Sequence, residues 1–224
     1  MQTTGDALVT ALIQSRFDSW VATWPGQATR FGIHEHDGEM PDLSRAAKLA
    51  DIEADRTFVS QLEGVDETLL SPRVAFERDL ALHSARLRLF EAEVVRNWER
   101  SVDATEEIGA ALFLLSAREF APLDERLVSM ISRIEGIPTV LRQVRDRLGR
   151  ETVRLWLELE AGSAAELPGM LHEILGRARG VWAAGDDRLS RAEAALSEER
   201  RSLEEHRDVL PRTLKLTLAH CRNH

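Results

Sequence analysis

Apolar residues recur at alternating spacings of three and four along almost the whole 224-residue chain, which restricts the fold more than any other sequence feature. The pattern is clearest after Ser71-Pro72, where it spans roughly six helical turns. The stripe consists of Phe76, Leu80, His83, Leu87, Phe90, Val94 and Trp98. Residues at this spacing share one face of an α-helix. The pattern therefore predicts a long helix that packs against its neighbours through this stripe.

Proline, glycine and capping residues divide the rest of the chain into further helices. The predicted segments are about 9–24, 44–63, 104–117, 122–136, 138–149, 153–162, 163–181 and a charged last helix over 186–210. Asp103 and Glu106 are predicted to cap the helix over 104–117. Residues 25–44 have little periodicity and predict an ordered loop. Without an alternating strand pattern, the sequence predicts an all-α fold of about eight helices packed as one helical domain over residues 1–224.

The composition argues against several classes of partner. The 29 basic and 38 acidic residues give a net charge of −9, which disfavours nucleic acid and an anionic membrane surface because both attract basic proteins. The single cysteine, Cys221, excludes an internal disulfide framework and a cysteine-rich zinc site. No apolar run reaches the roughly 18 to 20 residues that span a bilayer. With no secretory signal at the N-terminus, a cytoplasmic protein is the expectation.

No complete catalytic motif occurs in the chain. His172-Glu173 begins the zinc-peptidase pattern of two histidines four residues apart, but the fourth position is Gly176. Neither a glycine-rich phosphate loop after a strand nor a Gly-x-Ser-x-Gly elbow is present. The sequence therefore predicts no catalytic residue and no cofactor site within these residues.

Two places could nevertheless bind a ligand. His34, His36 and Asp37 lie close together in the first long loop, and imidazole and carboxylate groups are common zinc ligands. The alternative is a loop whose polar side chains bond to its own backbone. His83 lies on the apolar stripe of the long helix and could line a buried cleft. More often, a histidine in such a position is simply hydrogen-bonded in the core or at its margin. The five tryptophans are expected to be packing residues.

A series of short motifs, in the same order along the chain, gives a family resemblance. Near the N-terminus they are Trp24-Pro25 to Thr29, Phe31-Gly32-Ile33-His34-Glu35-His36-Asp37 and Met40-Pro41-Asp42-Leu43-Ser44. Later ones are Arg96-Asn97-Trp98, Pro122 to Leu127, Arg133 to Leu141, and a helix that ends at Val209-Leu210-Pro211-Arg212. From about residue 8 to about residue 212, the chain resembles the bacterial family called domain of unknown function 885.

The resemblance implies a helical fold similar to that of thermostable zinc carboxypeptidases. Members of that family are usually longer, and their zinc motif, His-Glu-x-x-His with a later glutamate, lies in the C-terminal half. This chain has no positions that match that motif, so zinc is expected only in a longer family member. By this resemblance, the chain corresponds to a non-catalytic N-terminal portion that forms one wall of a substrate cleft.

Two further interpretations stay open at this point. The chain could be a stand-alone helical binding or scaffold module without catalytic activity. Less favoured is a small metalloenzyme built on His34, His36 and Asp37. If the chain is the N-terminal portion of a larger hydrolase, the expected partner is the missing C-terminal half, or a second copy that associates through an uncovered apolar face. The substrate, the oligomeric state and the status of residue 224 as a natural terminus are not determined by the sequence.

Overall fold

The computed structural model describes residues 4–149 and 152–221, without the side chains of residue 207 and residues 209–221. Cys221 lies outside the described side chains. The prediction of an all-α fold is confirmed: the described residues form eight α-helices and no strand. The helices are α1 Thr4–Thr23, α2 Pro25–Arg30, α3 Arg45–Glu63, α4 Pro72–Phe90, α5 Ala104–Ala117, α6 Leu123–Arg147, α7 Arg154–Val181 and α8 Asp187–Cys221.

Contacts between residues divide the chain into two compact units. The first unit contains Met1–Thr23 and Arg45–Trp98, and the second contains Trp24–Ser44 and Glu99–His224. The first therefore includes α1, α3 and α4, while the second includes α2 and α5 to α8. The single domain over residues 1–224 stays a prediction.

Two pairs of predicted helices are in fact single helices. Pro138 lies inside α6, although it was expected to begin a new helix, and α7 continues past Gly162, where a helix was expected to end. An interior proline costs about 3 kcal/mol because it lacks an N–H group. In α6 the buried stripe continues across the proline, with Ile134, Ile137 and Leu141 all fully buried. Burial of these side chains offsets the cost of the proline.

Three other boundaries also differ from prediction. Pro25–Arg30 forms α2 within the expected loop, because Pro25 at the first helical position already has helical φ. The charged helix does not stop at Pro211, since α8 extends to Cys221. The long helix ends at Phe90 rather than Trp98. A π-helical turn over Glu91–Val95 follows, and then Arg96 adopts a left-handed conformation with φ 55°.

Helix α4 packs through the face opposite to the predicted one. Its buried residues are Val74, Arg78, Leu82 and Ala85. The outer face of α4, defined as Phe76, Leu80, His83, Leu87 and Phe90, is exposed; the exposed fractions are 68% for Phe76 and 53% for Phe90. His83 therefore does not occupy the core position expected of it. The small side chain of Ala85, which is fully buried, permits close packing that the larger outer-face residues would prevent.

The first unit has a small apolar core and a buried ionic network. Val9, Phe58, Leu62, Val65, Val74, Leu82 and Ala85 form the core. Asp55, only 3% exposed, accepts two hydrogen bonds from Arg88, at 2.7 and 2.9 Å, and one from Arg16 at 2.9 Å. Burial alone would raise the pKa of Asp55, but the hydrogen bonds from Arg88 and Arg16 outweigh it and lower the pKa. The network links all three helices of this unit.

Replacing Asp55 with asparagine is expected to lower the free energy of unfolding at pH 7 by about 2 kcal/mol. The variant loses charged hydrogen bonds and leaves Asp51 as the one remaining carboxylate bonded to Arg16 among the described residues. Because folding lowers the pKa of Asp55, its contribution is present above the unfolded-state pKa and disappears as the pH falls through the folded-state value. Urea unfolding at pH 7 and pH 3 measures both effects. Equal differences between variant and wild type at the two pH values would contradict this account.

The core of the second unit is built around α6. Its buried residues include Leu127, Met130, Ile134, Ile137, Leu141 and Val144. Apolar residues from α5, α7 and α8 surround this stripe, among them Ile108, Leu112, Leu171, Ile174, Ala192 and Leu203. Helix α5 is part of this core, and Trp24, which precedes α2, packs against it; α2 and α5 carry the candidate site.

Candidate functional site

The main cavity of interest is a cleft of about 310 Å³ in the second unit. It is lined by Trp24 and residues of α2 on one side and by residues of α5 on the other. We call it the α2–α5 cleft. Its lining residues are Trp24, Gly26, Gln27, Arg30, Pro41, Glu107, Ala110, Ala111, Phe113, Leu114 and Arg118.

The α2–α5 cleft combines aromatic, cationic and carboxyl groups. Phe113 is 61% exposed although it is a large apolar residue. An Nη1 hydrogen of Arg118 is donated to the carbonyl oxygen of Arg30 at 2.9 Å. The guanidinium of Arg30 has no bonding partner within the described part of the chain. An exposed aromatic ring beside an unpaired guanidinium suits a ligand that has an apolar group and an anionic group.

Among the titratable side chains that line the cleft, Glu107 has a pKa above its usual value. Burial raises the pKa of Glu107, and the neighbouring carboxylates of Asp103 and Glu106 raise it further, against the opposing charge of Arg147. A carboxyl group with a raised pKa in a cleft can donate a hydrogen bond while it is protonated.

A buried polar network lies directly beneath the cleft and connects its two walls. Arg133 of α6 is fully buried, and it donates to the carbonyl oxygens of Ala111 in α5 and Pro25 in α2. Its Nη2 group also donates to Thr29 Oγ1 at 2.9 Å. Thr29 Oγ1 donates in turn to Asp37 Oδ1 at 2.5 Å. We call Arg133, Thr29, Asp37 and His34 the Arg133 network.

Arg133 remains a cation at neutral pH in this setting. Burial lowers its pKa to about 10, although the charges of Asp37 and Glu39 act in the opposite direction. Its Nε hydrogen has no partner within the described residues. The sequence signal for this residue was an arginine on the apolar stripe of a helix, between Met130 and Ile137 at spacings of three and four. Sequence reasoning treated Arg133 only as part of a family motif and missed its role.

The structure does not bring the three residues of the metal hypothesis together, because His34 pairs with Asp37 while His36 pairs with Glu39. His34 Nδ1 lies 2.8 Å from Asp37 Oδ2, and the His34 ring stacks on Phe120 with centroids 3.8 Å apart. His36 Nδ1 instead faces Glu39 Oε1 at 3.1 Å. Within the described residues, no three His, Cys, Asp or Glu side chains are placed to hold a metal ion. The polar side chains of this loop bond mainly to one another.

A second buried polar cluster joins α5, α7 and α8. Glu160 accepts hydrogen bonds from the backbone N–H of Thr105 at 3.1 Å and from its hydroxyl at 2.7 Å. His206 Nε2 lies 3.0 Å from Glu160 Oε1. Glu160 therefore accepts the hydrogen bond of a free N–H group at the N-terminus of α5. Asp103, which was predicted to cap this helix, makes no capping hydrogen bond there. An acceptor from another helix could not be identified from the local sequence.

Glu199 of α8 is a second buried carboxyl group. It is 1% exposed, and its Oε1 atom has no hydrogen-bond partner among the residues that the structure describes. Burial raises the pKa of Glu199 to about 7. This carboxyl is therefore partly protonated at neutral pH.

The first unit contains a smaller groove of about 200 Å³. Its walls are mainly apolar and include Phe17, Trp20 and Phe58, with Arg16 and Arg88 from the ionic network. His83, the candidate cleft residue, is not among the residues that line this groove. The groove offers fewer polar groups than the α2–α5 cleft and is the weaker candidate for ligand binding.

Comparison with known proteins places the chain in a family. The model of a family described as "Bacterial protein of unknown function (DUF885)" matches residues 25–215. A solved structure, described as that of "a putative lipoprotein of unknown function from Shewanella oneidensis", has a similar fold, with a TM-score of 0.80 at 16% identity. The similarity covers 93% of this chain but only 38% of the Shewanella chain. No curated protein matches this chain.

None of the described helices is both long and apolar enough to cross a membrane. The family match covers α2, α5 and the whole Arg133 network, and of the residues that line the cleft it leaves out Trp24. This chain therefore belongs to the DUF885 family of bacterial proteins of unknown function.

Proposed function

We propose that this chain is the non-catalytic portion of a larger zinc-metallopeptidase-like hydrolase and supplies one wall of its substrate cleft. The α2–α5 cleft is the observation that carries the proposal, because it pairs aromatic and cationic side chains on a rigid support. The similarity covers only 38% of the larger Shewanella chain, which supports the view that this chain is one portion of a longer protein. The hydrolytic chemistry would then belong to residues outside the described part.

The cleft chemistry favours a peptide-like ligand with a free carboxylate. Arg30 can accept a carboxylate into its unpaired guanidinium, while Trp24 and Phe113 can pack against an apolar side chain. Glu107 can bond to a polar group of the same ligand. The Arg133 network keeps α2 and α5 at a fixed separation, so little ordering is needed when a ligand binds.

N-acetyl-L-phenylalanine is a suitable probe, and its C-terminal amide is the matched control without a carboxylate. The acid is expected to quench the fluorescence of Trp24 and to bind about fivefold or more tightly than the amide, since a charged hydrogen bond is worth more than a neutral one. Arg30→Gln should remove this preference without changing the melting temperature. Arg142→Gln, an exposed position outside the cleft, should leave it unchanged. Equal binding of acid and amide to the wild type would refute the carboxylate assignment.

The hydrolase part of the proposal needs the protein from its native source. Intact mass, together with the DNA read past codon 224, is expected to show a longer product that contains His-Glu-x-x-His. That product should cleave short peptides in a zinc-dependent manner, whereas the 224-residue chain should not. A longer product that neither holds metal nor cleaves peptides would count against the proposal. A product that ends at His224 would favour the alternative of a stand-alone binding or scaffold module.

A cytoplasmic location remains part of the proposal. The Shewanella protein is described as a lipoprotein, which makes attachment to a membrane surface the competing possibility for this chain. Fractionation of native cells, followed by detection of this protein in the soluble and membrane fractions, distinguishes the two.

A further inference from the structure

The outer face of α4 is an apolar stripe without a partner in the first unit. Its four apolar members are exposed by 68% at Phe76, 55% at Leu80, 50% at Leu87 and 53% at Phe90. From Phe76 to Phe90 the stripe is about 21 Å long at 1.5 Å per residue. Single exposed apolar residues are common, but a continuous row of four marks an interaction surface.

The spacing of the stripe specifies the shape of what covers it. Phe76, Leu80, His83, Leu87 and Phe90 alternate between intervals of four and three residues. This is the seam of a helix that packs lengthwise against a second helix. A β-strand or a globular surface would not follow a 3.5-residue repeat over this length. The complementary partner is therefore an α-helix of about four turns with its own three-four apolar repeat.

The charges beside the stripe indicate which sign of charge the partner helix carries on its two flanks. The six positions beside the stripe, the last two of which lie in the π-helical turn after α4, hold four carboxylates, one arginine and one serine: Glu77, Asp79, Ser84, Arg86, Glu91 and Glu93. Three of these carboxylates already have arginine partners within the unit. Glu77 pairs with Arg73 and Glu93 with Arg56, and Asp79 makes a longer contact of 3.4 Å with Arg78. Asp79 and Glu91 remain largely exposed on opposite sides of the stripe. A partner with basic flanks would pair with them.

The same charges argue against a second copy of this chain. In an antiparallel pair centred on the stripe, Glu77 of one copy would lie near Glu91 of the other, and Asp79 near Glu93. Like charges at these flanking positions destabilise a helix pair. The Shewanella structure, in contrast, has most of its chain outside the matched fold, which provides polypeptide able to cover such a face.

We propose that the outer face of α4 is the docking site for an amphipathic helix with basic flanks, contributed by a further portion of the longer protein. This inference rests on the proposed function, because it takes this chain as one portion of a larger protein. It adds the place and the chemistry of the contact between the portions. The α2–α5 cleft plays no part in it, so the two proposals can fail separately.

The test uses two labelled synthetic helices of about three heptads. Both have leucine at the three-four positions; one has lysine at the flanking positions and the other has glutamate. Fluorescence anisotropy with the full 224-residue chain should show that the lysine peptide binds about tenfold or more tightly than the glutamate peptide at low salt. The difference should shrink in about 0.5 M salt, because exposed charges are screened there.

Two matched double variants identify the surface. Leu80→Gln with Leu87→Gln should weaken binding of the lysine peptide by about tenfold or more, because both are central contacts. Leu8→Gln with Leu49→Gln changes two equally exposed leucines elsewhere in the first unit and should have no effect. Circular dichroism should show equal melting temperatures for all three proteins, since none of the four leucines is buried.

Three results would overturn the proposal. They are equal affinity of the two peptides, full binding by the Leu80→Gln, Leu87→Gln variant, and a concentration-dependent dimer that the same variant abolishes. The third would assign the face to a second copy. None of them bears on N-acetyl-L-phenylalanine binding, which tests the α2–α5 cleft independently.

Discussion

Replacing Arg133 with methionine is expected to lower the free energy of unfolding by about 3–5 kcal/mol. Methionine fills a similar volume but cannot donate to the carbonyl oxygens of Ala111 and Pro25 or to the hydroxyl of Thr29. The substitution also leaves Asp37, which is 6% exposed, without the cation that faces it. Urea unfolding followed by circular dichroism at pH 7 measures the loss.

Arg142→Met is the matched control, because Arg142 lies on the same helix and is exposed. It should change the free energy of unfolding by less than about 0.5 kcal/mol. Asp37→Asn as a single substitution should lower the free energy of unfolding. In the Arg133→Met background it should lower it by less, because the two groups belong to one network. Strictly additive effects, or a loss below about 1 kcal/mol for Arg133→Met, would contradict the network as described.

Glu199→Gln is expected to stabilise the protein by about 2–3 kcal/mol at pH 8 and to have little effect at pH 4. Burial raises the pKa of Glu199 from its usual value of about 4.5 to about 7. Between these values the folded state holds a proton that the unfolded state has released. Stability therefore falls as the pH rises from about 4.5 to about 7 and then becomes constant. Glutamine removes the charge but keeps the shape, so the variant should lack this pH dependence.

Thermal unfolding of wild type and variant at several pH values between about 4 and 8 provides the measurement. Glu205→Gln is the control, since Glu205 is an exposed carboxylate on the same helix. It should shift the melting temperature equally at every pH. If Glu199→Gln behaved in the same way as Glu205→Gln, Glu199 would not be titrating in a buried setting.

Several features of the fold could be predicted from local sequence. Ser71-Pro72 predicted the start of α4, and residues 104–117 were predicted as the helix that the structure contains. Pro25-Gly26 predicted the end of α1, which stops at Thr23. These signals are local because they depend on the φ angle of proline and on the repeat of a single helix. The order of the motifs also predicted the family, which the family match confirms.

The candidate site was predictable only in part. The loop motif led to His34 and Asp37, and the structure does bring these two side chains together. His36 has the same residue type and lies two positions away, yet it faces Glu39. Arg133 lies nearly one hundred residues further along the chain, and contacts over such distances leave no mark in a local pattern. The cleft depends on the same long-range contacts and could not be anticipated.

The sequence by itself determined the helical class, most helix starts and the family, because these follow from side-chain periodicity, capping and motif order. Only the tertiary structure decided that α6 continues through Pro138 and that α7 continues past Gly162, since core packing offsets the missing hydrogen bond of proline and the helix-weakening effect of glycine. It also decided which face of α4 is buried. Both faces carry apolar residues. The inward face has Ala85, whose small side chain lets a neighbouring helix approach closely, and Arg78, which donates to the carbonyl oxygen of Leu62.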